Sequence, residues 1–177
     1  VDGPVGAGEE ALALAACIGV QRLVPCDELG YSVLDRGRRQ LIVYISPDGT
    51  DAGDNEAFWQ IESEHPLCQA RSSVAILSER LSGAKLRASR VFSEWYAPLG
   101  IHDEAKLDLG WVGGVSRAIM LSRCGRGRFT QRDRQVLETI RPHLARLLAP
   151  APSAGVLTRR EYEILASVQR GLSNKEI

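Results

Sequence analysis

The sequence predicts an α+β fold in which an antiparallel sheet is covered by helices on at least one face. Two observations support this prediction. Short β-rich runs come in pairs around glycine-containing turns, and segments with helical spacing of apolar residues separate the pairs. The chain has 177 residues, of which 44% are hydrophobic and 25% charged, so it is long enough for one well-packed domain and a small appendage. This composition excludes a disordered or fibrous chain.

The first elements are a helix and a hairpin. Apolar residues at helical spacing among good helix formers predict a helix from Glu9 to Val20. The runs Leu29–Asp35 and Leu41–Ile45 are rich in β-forming residues, and the charged turn 36–39 separates them. Together they predict an antiparallel hairpin.

Two helical segments are predicted next. Residues 46–51 have turn composition, and a helix follows from Asn55 to Glu64. That helix should end at Pro66, since the residue before a proline disfavours helical backbone. Ser78 or Ser82 is the expected N-cap of a second helix, which carries apolar residues in its later turns.

The remaining elements of this domain are a second hairpin and a long helix. Residues 106–109 alternate between polar and apolar, a glycine-rich turn follows, and residues 118–121 resume an extended run. The long helix begins at Thr130, with Asp133 placed for a capping box. Pro142 lies inside its apolar stripe, so we expect a kink or a break there.

Side chains between the sheet and its helices are candidates for lining a ligand cavity. Six aromatic residues are the predicted pocket residues: Tyr44, Phe58, Trp59, Trp95, Tyr96 and Trp111. The alternative is that they are core packing residues, as aromatic side chains in small domains usually are.

Cysteine and histidine spacing offers little for metal or catalytic chemistry. The four cysteines are scattered, without a CxxC pair, which predicts buried free thiols: Cys17, Cys26, Cys68 and Cys124. His65 and Cys68 lie three residues apart, but a metal site needs further ligands, so we expect no metal and no cofactor. The same pair, beside Glu62 and Glu64, is the one candidate for nucleophilic chemistry, and Pro66 separates its members. We expect no enzymatic activity.

No apolar stretch reaches the roughly 18 residues of a membrane span, and the start of the chain lacks the features of a signal peptide. We therefore expect a soluble, cytoplasmic protein without membrane contacts. The chain begins at Val1, contains a single methionine and ends at Ile177 within a predicted helix. We expect a fragment of a longer protein.

Charge is distributed unevenly along the chain. Residues 1–116 carry 10 Lys and Arg against 17 Asp and Glu, whereas residues 117–177 carry 12 against 5. A basic end of this kind is typical of a chain that approaches nucleic acid there. The alternative is that the arginines solvate one turn and one helix start.

The C-terminal segment has the pattern of a helix-turn-helix. Thr158 is placed to cap a first helix, with Glu161 at the capping-box position, and Gly171 can end that helix in a left-handed conformation. Ser173 is then placed to cap a second helix.

These residues resemble the opening of the DNA-binding domain of LuxR-type (GerE-type) transcription regulators. The family pattern reads L-T-x-R-E-x-E-V-L and then G-x-S-N-K-E-I, and this chain has L-T-R-R-E-Y-E-I-L from Leu157 and G-L-S-N-K-E-I from Gly171. The resemblance implies binding to duplex DNA, although the chain ends before the helix that reads bases in that family. The implied DNA-binding residues are Thr158, Arg160, Ser173, Asn174 and Lys175.

The preceding domain is similar, more weakly, to the GAF-like sensory domains that come before such helix-turn-helix domains. The segments that carry this resemblance are His65–Leu67, Phe92–Ile101, Phe129–Arg134 and Arg141–Leu144. It implies a GAF/PAS-like antiparallel sheet, dimerisation through terminal helices and, in some members, a bound small molecule. The aromatic and Asp spacing of acyl-homoserine-lactone sensors is not found, and neither are nucleotide-specific residues.

These observations divide the chain into a GAF-like sensory or dimerisation domain (1–148), a Pro- and Ala-rich linker (149–156) and the start of a helix-turn-helix domain (157–177). The expected function is that of a bacterial transcriptional regulator. Its expected partners are promoter DNA, a second copy of the chain and a small-molecule effector of unassigned identity. Two alternatives stay open: a ligand-free module for dimerisation or partner docking, and a small-molecule enzyme that uses His65 and Cys68.

Overall fold

The computed structural model describes residues 7–46, 49–51, 56–70, 72–125 and 127–149, and within them the predicted α+β class is confirmed. Six strands form one open antiparallel sheet in the order β3-β2-β1-β6-β5-β4. The elements in chain order are α1 (Ala7–Leu23), β1 (Glu28–Asp35), β2 (Gln40–Ser46), β3 (Gly49–Asp51), α2 (Glu56–Ile61), β4 (Val74–Ile76), α3 (Leu77–Arg80), α4 (Gly83–Arg87), a π-helical turn (Phe92–Tyr96), β5 (Asp103–Val112), β6 (Val115–Arg123) and α5 (Gln131–Leu147).

The two predicted hairpins, β1–β2 and β5–β6, form the centre of the sheet. They are joined where β1 pairs with β6, an antiparallel pairing in which Leu29 lies opposite Leu121 and Val33 opposite Arg117. The first strand of the domain is therefore held by its last strand, and the rest of the chain must cover the two faces.

One face of the sheet packs against α1 and α5. Residues that alternate along β1, such as Leu29 and Tyr31, are almost fully buried on this side, together with Cys17 of α1 and Leu137 of α5. The alternate side chains of the same strands point to the other face, which α2, the π-helical turn and the connecting loops cover. The two faces are thus separate layers of the core.

The predicted helix capped by Ser78 or Ser82 is in fact several short elements. Ser82 does cap α4, since its hydroxyl accepts the Lys85 backbone N–H. Ser78 does not act as a cap, because its backbone N–H and its hydroxyl both donate to the Asp103 carboxylate, at 3.0 and 2.9 Å. This contact holds α3 against β5, and the helical backbone is interrupted at Leu81 and Ser82, which are both extended.

The second hairpin differs from the prediction at its glycines. Gly110 lies inside β5, where the pairing shifts between Asp108 and Gly110, and its φ of 118° is one that only glycine adopts readily. The turn itself is Gly113-Gly114, both with positive φ, as a tight hairpin turn requires.

The capping box predicted for α5 is confirmed: Thr130 accepts the Asp133 backbone N–H, and the Asp133 carboxylate accepts that of Thr130. Of the kink or break expected at Pro142, the break does not occur, because α5 runs on to Leu147. Pro142 is exposed, so the carbonyl group left without a helical partner can be solvated by water.

The predicted linker after residue 149 and the helix-turn-helix segment lie outside the described residues. The same holds for the five implied DNA-binding residues, Thr158, Arg160, Ser173, Asn174 and Lys175. Of the helices that the structure describes, none is long and apolar enough to cross a membrane.

Candidate functional site

A cavity of about 450 Å³ lies on the face of the sheet opposite α1 and α5. Its floor is the centre of the sheet, where β1 and β6 pair. Except for Met120, Leu34 and the exposed Glu28, the residues there are small: Gly30, Ser32, Ser116, Ala118 and Ser122. Because such side chains do not reach the segments that cover them, space is left between the layers.

One side of the cavity is apolar. Leu34 of β1 and Leu41 of β2 are buried there beside Phe58 of α2. Trp95 extends this surface from the π-helical turn, with its ring centroid 5.6 Å from that of Phe58, and Leu99 from the following loop also lines the cavity. This side can accept an apolar group of a ligand.

The opposite side of the cavity carries charge. Glu104 and Lys106 are two residues apart on β5, so both side chains point toward the cavity, and they are only 5% and 8% exposed. The Lys106 ammonium lies 3.3 Å from the Asp108 carboxylate. Buried charges are kept only where they have partners, so this wall is a built polar surface within an apolar core.

A buried chain of hydrogen bonds stands behind this wall. The Tyr96 hydroxyl donates to Oε2 of Glu104 at 3.0 Å and lies 3.1 Å from Nε2 of His65. Nδ1 of His65 accepts the Cys68 backbone N–H at 3.4 Å, so the imidazole proton belongs on Nε2 and is donated to Tyr96. All three side chains are thereby oriented, and Ser122 adds a longer bond to Glu104, at 3.5 Å.

Burial shifts the pKa values of Glu104 and His65, the two titratable groups in this hydrogen-bonded network, in opposite directions. It raises the pKa of Glu104 from 4.5 to about 7, against the lowering effect of the bonds from Tyr96 and Ser122. Burial, reinforced by the nearby positive charge of Lys106, lowers the pKa of His65 from 6.5 to about 4. At neutral pH the imidazole is therefore uncharged, while Glu104 keeps its proton to a higher pH than an exposed carboxyl group does.

The structure brings some of the predicted aromatic residues together and places others elsewhere. Phe58 and Trp95 line the cavity, and Tyr96 lies behind it as the link between His65 and Glu104. Trp59 packs edge-on against Phe58, at 5.3 Å, and is not among the lining residues.

Of the other two aromatic residues, only the side chain of Trp111 is described, and it is not among the residues that line the cavity. Trp111 is 53% exposed near the end of β5, beyond the bulge, and its ring is stacked under the Arg36 guanidinium. Because the strand register shifts between Asp108 and Gly110, the Trp111 side chain does not continue the row of cavity-facing side chains on β5. Tyr44 belongs to β2, but its side chain lies outside the described part of the chain.

The small residues of the floor and the charged residues of β5 were not predicted as site residues. A signal for the latter exists in the sequence: Glu104, Lys106 and Asp108 alternate with the apolar Ala105 and Leu107. Such alternation is equally typical of a strand whose polar face meets solvent. Whether such a strand face is buried depends on the segments that cover it, and here one of them, which contains His65, is distant in sequence.

The geometry does not favour nucleophilic chemistry at His65 and Cys68. The contact between these residues is from the Cys68 backbone N–H, and burial raises the pKa of the Cys68 thiol to about 12. A thiol with this pKa is protonated at neutral pH and is a weak nucleophile. Within the residues that the structure describes, no group of three or more His, Cys, Asp or Glu side chains is arranged to hold a metal ion.

No protein-family model matches the sequence, and no curated protein matches it either. Three similar solved structures are the ligand-binding domain of VqsR from Pseudomonas aeruginosa, the GAF domain of a two-component sensor histidine kinase from Bacillus halodurans, and a red/green cyanobacteriochrome in its red light-absorbing state. Their TM-scores are 0.55, 0.50 and 0.58, and their identities 14%, 13% and 10%. The matches cover 80%, 81% and 80% of this chain and 90%, 93% and 94% of the respective chains.

At these identities the similarity establishes the fold alone. The antiparallel sheet with its covering helices matches these neighbours, which include a GAF domain and the ligand-binding domain of VqsR. The described part of this chain therefore has the GAF-like fold.

Proposed function

We propose that this chain is part of a bacterial transcription regulator whose GAF-like domain senses a small molecule and whose C-terminal segment belongs to a LuxR-type helix-turn-helix domain. The observation that carries the sensory part is the cavity, with its floor of small residues and its buried charged wall on β5. Its volume of about 450 Å³ is in the usual range of small-molecule sites.

The two sides of the cavity define the kind of ligand that fits. The side formed by Leu34, Leu41 and Phe58 accepts an apolar group, whereas Lys106 and Glu104 present polar groups to the cavity from the other side. The charge of Lys106 is balanced by Asp108. The proposed effector is thus an amphipathic molecule whose polar end has no net charge and carries an acceptor for the Lys106 ammonium.

The DNA-binding part of the proposal is supported by the residues from Leu157 to Ile177 and by the excess of basic residues after position 117. Exposed apolar side chains on the outer helices, Leu12, Ile18 and Leu23 of α1 and Leu147 of α5, support association of two copies. A dimer presents two DNA-binding domains to two half-sites. Binding of the full-length regulator to its promoter DNA, measured by fluorescence anisotropy, should weaken as salt is raised.

The cavity is tested by filling it. Ala118 lies in the centre of the floor and is 3% exposed, so Ala118→Leu places three additional carbon atoms in the space proposed for the ligand. Neutral amphipathic compounds are screened by their effect on the melting temperature. A binder should stabilise the wild-type protein in a saturable way and lose this effect in Ala118→Leu.

Ala84→Leu makes the same change at an exposed position of α4 and serves as the matched control. This variant should respond to the ligand as the wild type does. Equal stabilisation of wild type, Ala118→Leu and Ala84→Leu would place the ligand elsewhere. A screen without any binder would favour a ligand-free dimerisation or docking module.

A further inference from the structure

A second cleft, of about 520 Å³, lies at the far end of β5, on the other side of Cys68 from the sensory cavity. Four parts of the chain meet there: the turn after β1, the loop before β4, the end of β5 and the helix α5. The residues that line it include Arg36, Ser72, Ser73, Asp108, Trp111 and Arg141. The cleft is more polar than the sensory cavity and is lined by two arginines.

The charges around this cleft pair off except for one. Arg36 makes two hydrogen bonds to a single oxygen of Glu62, at 2.8 and 2.6 Å. Asp108 is paired with Lys106, at 3.3 Å. Arg141 has no carboxylate within ion-pair distance among the described residues, so the cleft has an excess positive charge at this residue.

Arg141 is nevertheless held in place. Its Nε donates to the Asp108 backbone carbonyl at 2.6 Å, which anchors the guanidinium at the end of β5. Both terminal nitrogens are without a partner within the described part of the chain. An anchored guanidinium with its two terminal amino groups available has the planar fork that recognises carboxylate and phosphate groups.

We propose that this cleft is a second binding site, for a small organic oxyanion whose phosphate or carboxylate group is held by Arg141. The hydroxyl groups of Ser72 and Ser73 line the same cleft and can donate further hydrogen bonds. The cleft is several times larger than an inorganic phosphate, and the exposed ring of Trp111 offers a surface for the rest of the molecule. This site is separate from the cavity of the proposed function.

Binding is measured with inorganic pyrophosphate, and with citrate as the carboxylate counterpart, on the whole chain at constant ionic strength. Trp111 reports on the cleft, because the Arg36 guanidinium lies 4.9 Å from its ring centroid and a bound anion would change this environment. We expect a saturable change in tryptophan fluorescence and a rise in melting temperature with at least one of the two anions. Trp111→Phe should abolish most of the fluorescence change and keep the thermal shift.

Arg141→Gln removes the fork and is expected to weaken anion binding about tenfold or more. Arg146→Gln removes the same charge from an exposed position of the same helix and should bind as the wild type does. If Arg141→Gln does not fold, as judged by circular dichroism, Arg141→Lys keeps the charge without the fork and should show an intermediate loss of affinity.

Two results would overturn the proposal. One is the absence of any saturable response of the wild-type protein to either anion. The other is an equal loss of affinity in the variants of Arg141 and Arg146, since this would show a general effect of charge. Neither result bears on the sensory cavity, which is tested by Ala118→Leu.

Discussion

Replacing Glu104 by glutamine is expected to make the domain increasingly more stable than the wild type as the pH rises from about 4.5 to about 7.5. Burial raises the pKa of Glu104 from 4.5 to about 7. Between these values the folded state keeps a proton that the unfolded state has released, so this residue destabilises the fold progressively as the pH rises. Glutamine has no proton to lose, and its amide oxygen can still accept the hydrogen bond from Tyr96.

The effect of His65 on the pH dependence of stability is opposite to that of Glu104. Its pKa is lowered from 6.5 to about 4, so between these values the folded state binds fewer protons than the unfolded state. Its contribution to stability therefore rises with pH and is lost as the pH falls. Each shift corresponds to about 3 kcal/mol, since one pKa unit corresponds to about 1.4 kcal/mol. In the wild-type protein the two contributions nearly cancel over the window that they share.

The measurement is the free energy of unfolding in urea at several pH values from about 4.5 to about 7.5. Subtracting the wild-type values from those of Glu104→Gln removes the contributions of the other titrating groups, and the difference should rise by about 3 kcal/mol. Glu64→Gln, which removes a carboxylate from an exposed position, is the control. Its free energy of unfolding relative to the wild type should change little with pH, because water screens the charge. A flat or falling difference for Glu104→Gln would refute the reasoning.

Three further predictions concern local structure. Thr130→Ala removes the hydroxyl that accepts the Asp133 backbone N–H at 3.2 Å, and it should lower the free energy of unfolding in urea by about 1 kcal/mol, with Thr130→Ser close to wild type. Gly114→Ala places a side chain at a φ of 85° and should lower the melting temperature, by an amount that corresponds to about 1 kcal/mol or more. The thiols of Cys17 and Cys68, whose pKa burial raises to about 12, should react with a disulfide reagent at about pH 8 only after unfolding. Unchanged stability in either of the first two variants, or fast labelling of both thiols in the folded protein, would contradict these expectations.

The elements that were predicted correctly have their signals close together in sequence. The alternation in Leu29–Asp35 and Leu41–Ile45 and the turn between them are enough to specify the first hairpin. The start of α5 depends on Thr130 and Asp133, three residues apart, whose side chains and backbone groups cap the helix mutually.

The elements that were missed depend on distant contacts. The helix predicted near Ser78 is interrupted at Leu81 and Ser82, and its first turn is held by a bond from Ser78 to Asp103, which lies 25 residues further along the chain. The strands β3 and β4 have three residues each, too few for alternation to be recognised, and β4 is buried at all of them. Such segments become strands because the edge of an existing sheet is available to them.

The same division applies to the candidate site. Aromatic residues such as Phe58 and Trp95 can be identified as site candidates by residue type alone. The residues of the polar wall cannot be identified in this way, because Glu104 and Lys106 have the sequence pattern of a solvated strand face. Glu104 is buried beside Tyr96, which in turn bonds to His65, a residue that lies 31 positions before Tyr96 in the chain.

The position of Asp108 connects the two candidate sites to α5. Its carboxylate pairs with Lys106, which lines the sensory cavity, and its backbone carbonyl holds Arg141, which belongs to α5 and lines the second cleft. A ligand that draws the Lys106 ammonium away from this carboxylate alters the local support of the bulge, where the carboxylate also accepts the Gly110 backbone N–H. Since the chain leaves the described domain through α5, a change at this bulge is a contact route by which an occupant of either site can act on the C-terminal segment. Because binding equilibria are reciprocal, an occupant of one site should then change the affinity of the other by the same factor in both directions.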